Sequence, residues 1–401
     1  MSTRRQSAPR SWGGIEQRGT DIAHHVAREV EQYARTKRIS TIAVFLDVVA
    51  AFYSVLKDVA FGLGDADNLR AIGQRFNIPL SAMQAILAKA SEGSSIGRCG
   101  FSSHQSAALQ AAQCASWYAV EHGHGISATQ RGTMAGDPLA DLIFGIVNNQ
   151  IACEVNQFMV DAGFALQIPW CGSISPLRPP SGNLTTVDDT SFVDDMLVIA
   201  EPPDNAHIAG TIASVTAAIV DIFLEHGLTL NFSPGKSEVI PFIFGQGSKQ
   251  AKKDLYIDGK AQVVATSRHI GTFTILVVQR YKHVGSVLSS HGSMRPEFAA
   301  RAGAALAAIM PLKKRIVANR NIPIKTRKLI VDALGMSRLF YNACVWSKFS
   351  KSEFEAIQVA HGKMFRGLFH TPSRITRGGQ TLRSGRSLPC RRHWSTCRSA
   401  G

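Results

Sequence analysis

Two places in the chain set aspartates at the end or in the middle of an apolar run. The first is Phe45-Leu46-Asp47, which follows Thr41-Ile42-Ala43-Val44. The second is Ser191-Phe192-Val193-Asp194-Asp195-Met196-Leu197-Val198-Ile199, where two adjacent carboxylates interrupt an apolar segment. Unpaired charge is costly to bury, so carboxylates so placed take a metal ion or a basic side chain as partner. Where the partner is a metal, carboxylate oxygens suit a hard cation. Read singly, each segment has a plainer account. Asp194 and Asp195 can form the turn of a tight hairpin, and Asp47 can cap a helix. A third segment, Gly132-Thr133-Met134-Ala135-Gly136-Asp137-Pro138-Leu139, is a glycine-rich turn opening a long helix. Alone it reads as an ordinary helix entry, with Asp137 as cap and Pro138 in the first turn.

The elements that must position these residues follow from hydrophobic spacing. Ile22, Val26 and Val30 predict a helix over 21–35 that opens near Asp21. The β-branched run over 41–46 predicts a buried strand delivering Asp47 at its end. Residues 57–130 read as mostly helical, broken by glycine clusters. Leu139 to Phe164 carries a long apolar helical pattern, and a Pro/Gly/Ser-rich loop runs from Pro169 to Gly182. A strand pair flanks Asp194 and Asp195. Ile208, Ile212, Val215 and Ile219 mark one face of a helix from Ile208 to Glu225, which Gly227 ends. Short β-like runs alternate with turns over 238–290. A stripe from Phe298 to Ile316, then helices over Lys325–Leu334 and Phe354–Phe365, predict a small bundle. Beyond Thr371 the chain is rich in Arg, Ser and Gly with few apolar residues, a composition that favours disorder.

Composition narrows the class. A chain of 401 residues with 45% hydrophobic content can bury a sizeable core. No membrane span and no secretory signal is read from it, so we expect an intracellular protein, nuclear or cytoplasmic and not secreted. The seven cysteines are scattered without a repeated close pair, which predicts reduced thiols rather than a disulfide framework or a zinc site. The net charge of +15 is unevenly spread. Residues 311–401 hold 19 Lys and Arg against 3 Asp and Glu, which leaves 25 against 26 for the first 310. A neutral body joined to a cationic end suits a polyanion lying against that end, although a solvated basic tail would give the same count.

Taken together and in order, the three segments resemble the palm motifs of reverse transcriptases of the non-LTR retrotransposon type. Phe45, Asp47, Ala51, Phe52 and Val55 match the first motif, with Tyr53 replacing its second aspartate. Gly132, Gly136, Asp137, Pro138 and Leu139 match the second, with Ala135 where the family has glutamine. Phe192 to Asp195 match the third. Downstream, Gly227-Leu228-Thr229-Leu230-Asn231 with Lys236-Ser237-Glu238 resembles the fourth motif, one residue longer before the lysine. Tyr281-Lys282-His283-Val284-Gly285 resembles the primer-grip strand, and Leu312 to Trp346 resembles the thumb.

The resemblance implies an α+β right-hand polymerase with an antiparallel-sheet palm, partial fingers and a helical thumb. Residues 1–40 would be partial fingers and 41–290 the palm, with a fingers-type helical insertion at about 57–130; 291–370 would be the thumb and 371–401 a disordered basic tail. It also implies an RNA-directed DNA polymerase using two Mg²⁺ ions, or Mn²⁺, held by Asp47, Asp194, Asp195 and the Val48 carbonyl. Lys236 would protonate the leaving pyrophosphate. Phe52, Ala135, Gly136 and Arg18 would contact the nucleotide, and Lys282, His283, Val284 and Gly285 would grip the primer. Lys313, Lys314, Arg315, Arg320, Lys325, Arg327 and Lys328 would follow the phosphate backbone. The implied partners are an RNA template, a DNA primer, dNTPs and further domains of a retroelement polyprotein, with no membrane. The family's more N-terminal motifs are not matched among these residues, which leaves open whether the chain is a fragment. Two other readings stay open. One is a truncated, catalytically impaired remnant that retains RNA binding. The other is a maturase-like factor or RNA-templated RNA polymerase, against which Phe52 counts.

Overall fold

A computed structural model of the protein describes residues 19–369, apart from 63, 115–116, 120–124, 130, 134–136, 170–183, 188–189, 193 and 347–349. Arg18, Ala135, Gly136, most of the loop after Pro169 and the basic tail beyond Thr371 lie outside the described residues.

The first amphipathic pattern forms α1 (Thr20–Lys37), and Arg38 closes it in the left-handed conformation. The β-branched run forms β1 (Thr41–Leu46), buried at every position because it lies inside the sheet. Short helices follow: α2 (Ala51–Ser54), α3 (Lys57–Phe61), α4 (Ala66–Arg75), α5 (Leu80–Ser91), α6 (Ser95–Arg98) and α7 (Ser103–Cys114). Then come a small ribbon, β2 (Trp117–Ala119) with β3 (Ile126–Ala128), and the long α8 (Pro138–Asp161). The strands β4 (Gln167–Pro169) and β5 (Leu184–Thr186) pair with each other, and β6 (Thr190–Phe192) forms a hairpin with β7 (Asp195–Ala200). The apolar stripe after them forms α9 (Ile208–Glu225), with both ends where the spacing puts them.

Residues 238–290 form β8 (Glu238–Phe242), β9 (Gln262–Ser267), β10 (Gly271–Val277), and the hairpin β11 (Arg280–His283) with β12 (Ser286–Ser289). Between β8 and β9 stands α10 (Ser248–Lys253), continued by a π-turn to Asp258. The helix has a single apolar residue, Ala251, too little to show a period. The C-terminal stripes form a bundle of α11 (Arg295–Ile309), α12 (Ile324–Ile330), α13 (Ser337–Leu339) and α14 (Lys351–Phe369), joined by 3₁₀ and π turns. Phe298, Ile309, Val317, Val331, Leu339 and Met364 fill its core.

The main sheet runs β6-β7-β1-β8-β10-β9. It is mixed rather than antiparallel, because β10 lies parallel to β8, with Leu276 against Glu238 and Val277 against Val239. The reason is the crossover through α10 and β9, which returns the chain to the same edge in the same direction. The pleat of β1 separates two cores. Ile42, Val44 and Leu46 face α8 and α9, whereas Ala43 and Phe45 face α1 and the β11–β12 hairpin. The segment Asn205–Glu225 contains an 18-residue window with a mean hydropathy of 1.7, long and apolar enough by composition for a membrane span. That departs from the reading of the bare sequence, and its apolar positions are used up here against the sheet and α8.

Candidate active site

Asp47 leaves the C-terminal end of β1, and pairing register decides its neighbours. On one side β7 pairs antiparallel with β1, ending at Leu46 opposite Met196, so the next step sets Asp47 beside Asp195. On the other side β8 pairs with Phe45 opposite Glu238, and two further steps bring Lys236 across from Asp47. Asp194 follows from the hairpin, where Phe192 pairs with Asp195 and the turn lies beyond. Three neighbouring strands thus bring carboxylate, carboxylate and ammonium to one end of the sheet. Directly opposed residues on adjacent strands have Cβ atoms about 5 Å apart.

The hydrogen bonds agree with the register. The Lys236 ammonium donates to Asp47 Oδ1 at 3.0 Å, and the Asn231 amide Nδ2 donates to Asp47 Oδ2 at 3.3 Å. The Asp47 backbone N–H donates to Ser237 Oγ at 3.0 Å. Asn231 N–H donates to the Asp47 carbonyl at 2.9 Å, and Val49 N–H to the Thr229 carbonyl at 2.8 Å. Those two bonds close the bridge between Val48 and Leu230 and leave the Val48 carbonyl out of it.

Electrostatics reflect the crowding. Burial, then the negative charges of Asp194 and Asp47, push the Asp195 carboxyl up to about 6, and Lys236 opposes them. The bond to Asp47 holds the Lys236 ammonium above the usual lysine range. Among the described residues no group of three or more His, Cys, Asp or Glu converges to hold a metal ion. The donor chemistry fits a hard cation, being oxygen-rich and negatively overcharged.

The glycine-rich segment packs against the turn after Asp47. Gly132 N–H donates to the Val55 carbonyl at 2.7 Å and Thr133 N–H to the Phe52 carbonyl at 2.8 Å. A Cβ on Gly132 would lie 2.7 Å from the Tyr53 backbone, and its φ of 83° is one that only glycine adopts freely. Asp137 caps α8, accepting from Leu139 N–H at 3.0 Å, with Pro138 in the first turn as the plainer reading had it. The Phe52 ring is half-buried, its centroid 5.2 Å from that of Phe144.

Several expected roles need correction. On β11 the pleat turns Tyr281 and His283 inward and leaves Arg280 and Lys282 exposed. His283 and Val284 are buried, whereas Lys282 is exposed and Gly285 partly so. Arg327 is also buried. Its guanidinium donates to the Val317 carbonyl at 3.1 Å and the Leu368 carbonyl at 3.2 Å, which ties α12 to α14 and withdraws it from the phosphate-facing set. Lys313, Lys314, Arg315, Arg320, Lys325 and Lys328 are exposed, with Lys328 paired to Asp332.

Two side chains make contacts that carry no local signal. Tyr281 stacks on Phe45 at 4.2 Å and donates its hydroxyl to the Lys236 carbonyl at 2.6 Å, joining the β11–β12 hairpin to the carboxylate end. Lys57 is buried and donates to the Gln113 carbonyl at 2.7 Å and to Thr129 Oγ1 at 2.9 Å, beneath the entry to α8. Three donors on one ammonium make such burial tolerable. No protein-family model matches the chain, and no curated protein matches it.

Proposed function

We propose that the chain is a template-directed nucleotidyltransferase, an RNA-directed DNA polymerase of the non-LTR retrotransposon type. The observation that carries this reading is the register of β7, β1 and β8, which aligns Asp195, Asp47 and Lys236 at one sheet end beside Asp194. In this reading the sheet is the palm, the helices between α2 and α7 belong to the fingers, and the bundle from α11 to α14 is the thumb. Asp47, Asp194 and Asp195 would hold Mg²⁺, or Mn²⁺, which when bound supplies charge to activate the primer 3′-hydroxyl and offset the charge of the transferring phosphate. Lys236 holds a proton 3.0 Å from Asp47 and can pass it to the pyrophosphate oxygen that leaves. Phe52 would lie beneath the sugar and exclude a 2′-hydroxyl, favouring dNTPs. The six exposed thumb cations would follow the RNA template and DNA primer without reading sequence.

A second reading has its own support. A remnant that binds RNA without chemistry would be consistent with Asp47 neutralised by Lys236 and with Ala135 in place of the family's glutamine. Primer extension on a poly-A template with oligo-dT and Mg²⁺ separates the two, using the protein beside Asp194→Ala. Extension lost in the variant supports the polymerase. Extension by neither, with template still retarded in a gel shift, supports the remnant.

A further inference from the structure

The sheet end remote from Asp47 has its own basic cleft, and we propose that it binds a single strand of nucleic acid. The cleft opens where β1 begins and β8 ends, and Thr41 pairs with Phe242 there. β1 itself spans the separation, since six residues at about 3.3 Å each place the cleft roughly 20 Å from Asp47. A cavity of about 810 Å³ is lined by Arg35, Arg38, Phe244, Gln246 and Lys252 among others. A neighbouring cavity of about 360 Å³ is lined by Lys249, Lys253, Tyr256 and His291, and Lys252 lines both.

Apart from Arg35, the charge in this cleft is unspent. Arg35 is engaged by Glu31 and the His291 carbonyl and lies 5.8 Å over the Phe244 ring. The side chains of Arg38, Lys249, Lys252 and Lys253 have no hydrogen-bonding or ion-pair partner among the described residues. Of the nearby acids, Glu31 is paired with Arg35, and Asp254 accepts from the Gln250 amide without pairing to a cleft cation. The fold goes to some length to build the cleft. Gly245, at φ 76°, packs so tightly against the Arg38 carbonyl that a side chain would collide with it. The turn is thereby held against the end of α1.

Cations interleaved with half-buried rings (Phe244, Tyr256) and an exposed imidazole (His291) fit a strand whose phosphates meet the cations and whose bases stack. An acidic protein segment or an anionic lipid surface would use the cations and make no use of the exposed ring edges or of His291. Nothing in the cleft requires the carboxylate chemistry, so it stands whether or not the chain polymerises.

The test is photo-crosslinking of a short 4-thiouridine RNA to the full chain, with crosslinked peptides mapped by mass spectrometry. The expected result is crosslinks at Phe244 or Tyr256 in the native chain and in Asp194→Ala. They should be lost in Arg38→Glu/Lys252→Glu/Lys253→Glu and in the milder Arg38→Gln/Lys252→Gln/Lys253→Gln, with the melting temperature unchanged. Removing three phosphate contacts should flatten the slope of log affinity against log salt by about 2. Crosslinks confined to the C-terminal bundle or to the Asp194 end would overturn the proposal. So would an unchanged salt slope in the variants, or binding to phosphatidylserine vesicles that these substitutions abolish while no RNA crosslinks there.

Discussion

Two buried histidines should make the protein acid-labile from pH 6.5 downward. His24 on α1 and His283 on β11 stack with centroids 6.3 Å apart between the helix and the hairpin. Arg28 donates its Nε–H to His24 Nε2 at 2.9 Å, which requires that nitrogen to be an unprotonated acceptor. Burial first, then Arg28, His283, Arg301 and His25, lowers the His24 imidazole to about 2, and burial lowers His283 to about 4. Because both folded values lie below the unfolded value of 6.5, the unfolded chain takes up protons first as pH falls. Stability is therefore complete above pH 6.5 and lost below it. At pH 5 each ring costs roughly 2 kcal/mol, about 1.5 pH steps at 1.36 kcal/mol each, so the pair costs about 4 kcal/mol. His226 is lowered in the same direction by burial, so the readout must be a difference between variants. His283 makes no hydrogen bond through either ring nitrogen, and His283→Leu removes no polar partner. Urea unfolding followed by circular dichroism at pH 7.5 and 5 should show the native chain losing about 2 kcal/mol more than His283→Leu. Equal losses in the two proteins would refute the account of a neutral buried imidazole.

Lys236→Ala should cut primer extension by roughly 100-fold while leaving template binding in a gel shift intact, since a positioned general acid contributes about 10²–10⁴-fold. If extension is unaffected, the Lys236–Asp47 contact is structural. Arg327→Ala should lower stability by about 3 kcal/mol, because it strands two buried carbonyls and a cavity, yet leave the salt dependence of RNA binding unchanged. Exposed Lys325→Ala should do the reverse, reducing the salt slope by about 0.7–0.9 with no change in denaturant midpoint. Gly132→Ala should destabilise by at least about 2 kcal/mol through its positive φ and the contact with Tyr53; soluble protein with an unchanged melting temperature would count against that geometry.

What could be read from sequence was whatever local spacing determines. The limits of α9, the buried β1 and the entry to α8 at Asp137 and Pro138 each follow from a run of apolar residues or a turn signal inside one element. What could not be read depends on which face of an element the rest of the chain covers. Arg327 sits among Lys325 and Lys328 in a sequence that is basic throughout, and only the return of α14 turns it inward. His283 looks like a surface residue beside Lys282 until the hairpin is laid on Phe45, with centroids 5.3 Å apart. The parallel pairing of β10 with β8 is likewise set by a crossover over α10, whose single apolar residue, Ala251, is too sparse a signal to announce a helix.

The site itself lies between these cases, and register is the reason. Nothing near Asp47 names Lys236 as its partner, and the extra residue before that lysine argues for displacement. The turn absorbs the difference. Ser237 N–H donates to the Asn231 carbonyl at 2.8 Å, Lys236 N–H to the Ser233 carbonyl at 3.0 Å, and Gly235 adopts φ 81° between them. The chain can therefore spend a residue in the loop and still enter β8 with Val239 opposite Val44. A slip of β8 by one position would turn Val239 out of the core it shares with Val44, into the one on the sheet's other face, and carry Glu238 or Ile240 into its place. The hydrophobic pattern of the two strands thus fixes the lysine against the aspartate, and the same reasoning through Leu46 and Met196 fixes Asp195 on the other side. Chemistry-bearing residues that carry no mutual signal are aligned by apolar residues that do no chemistry.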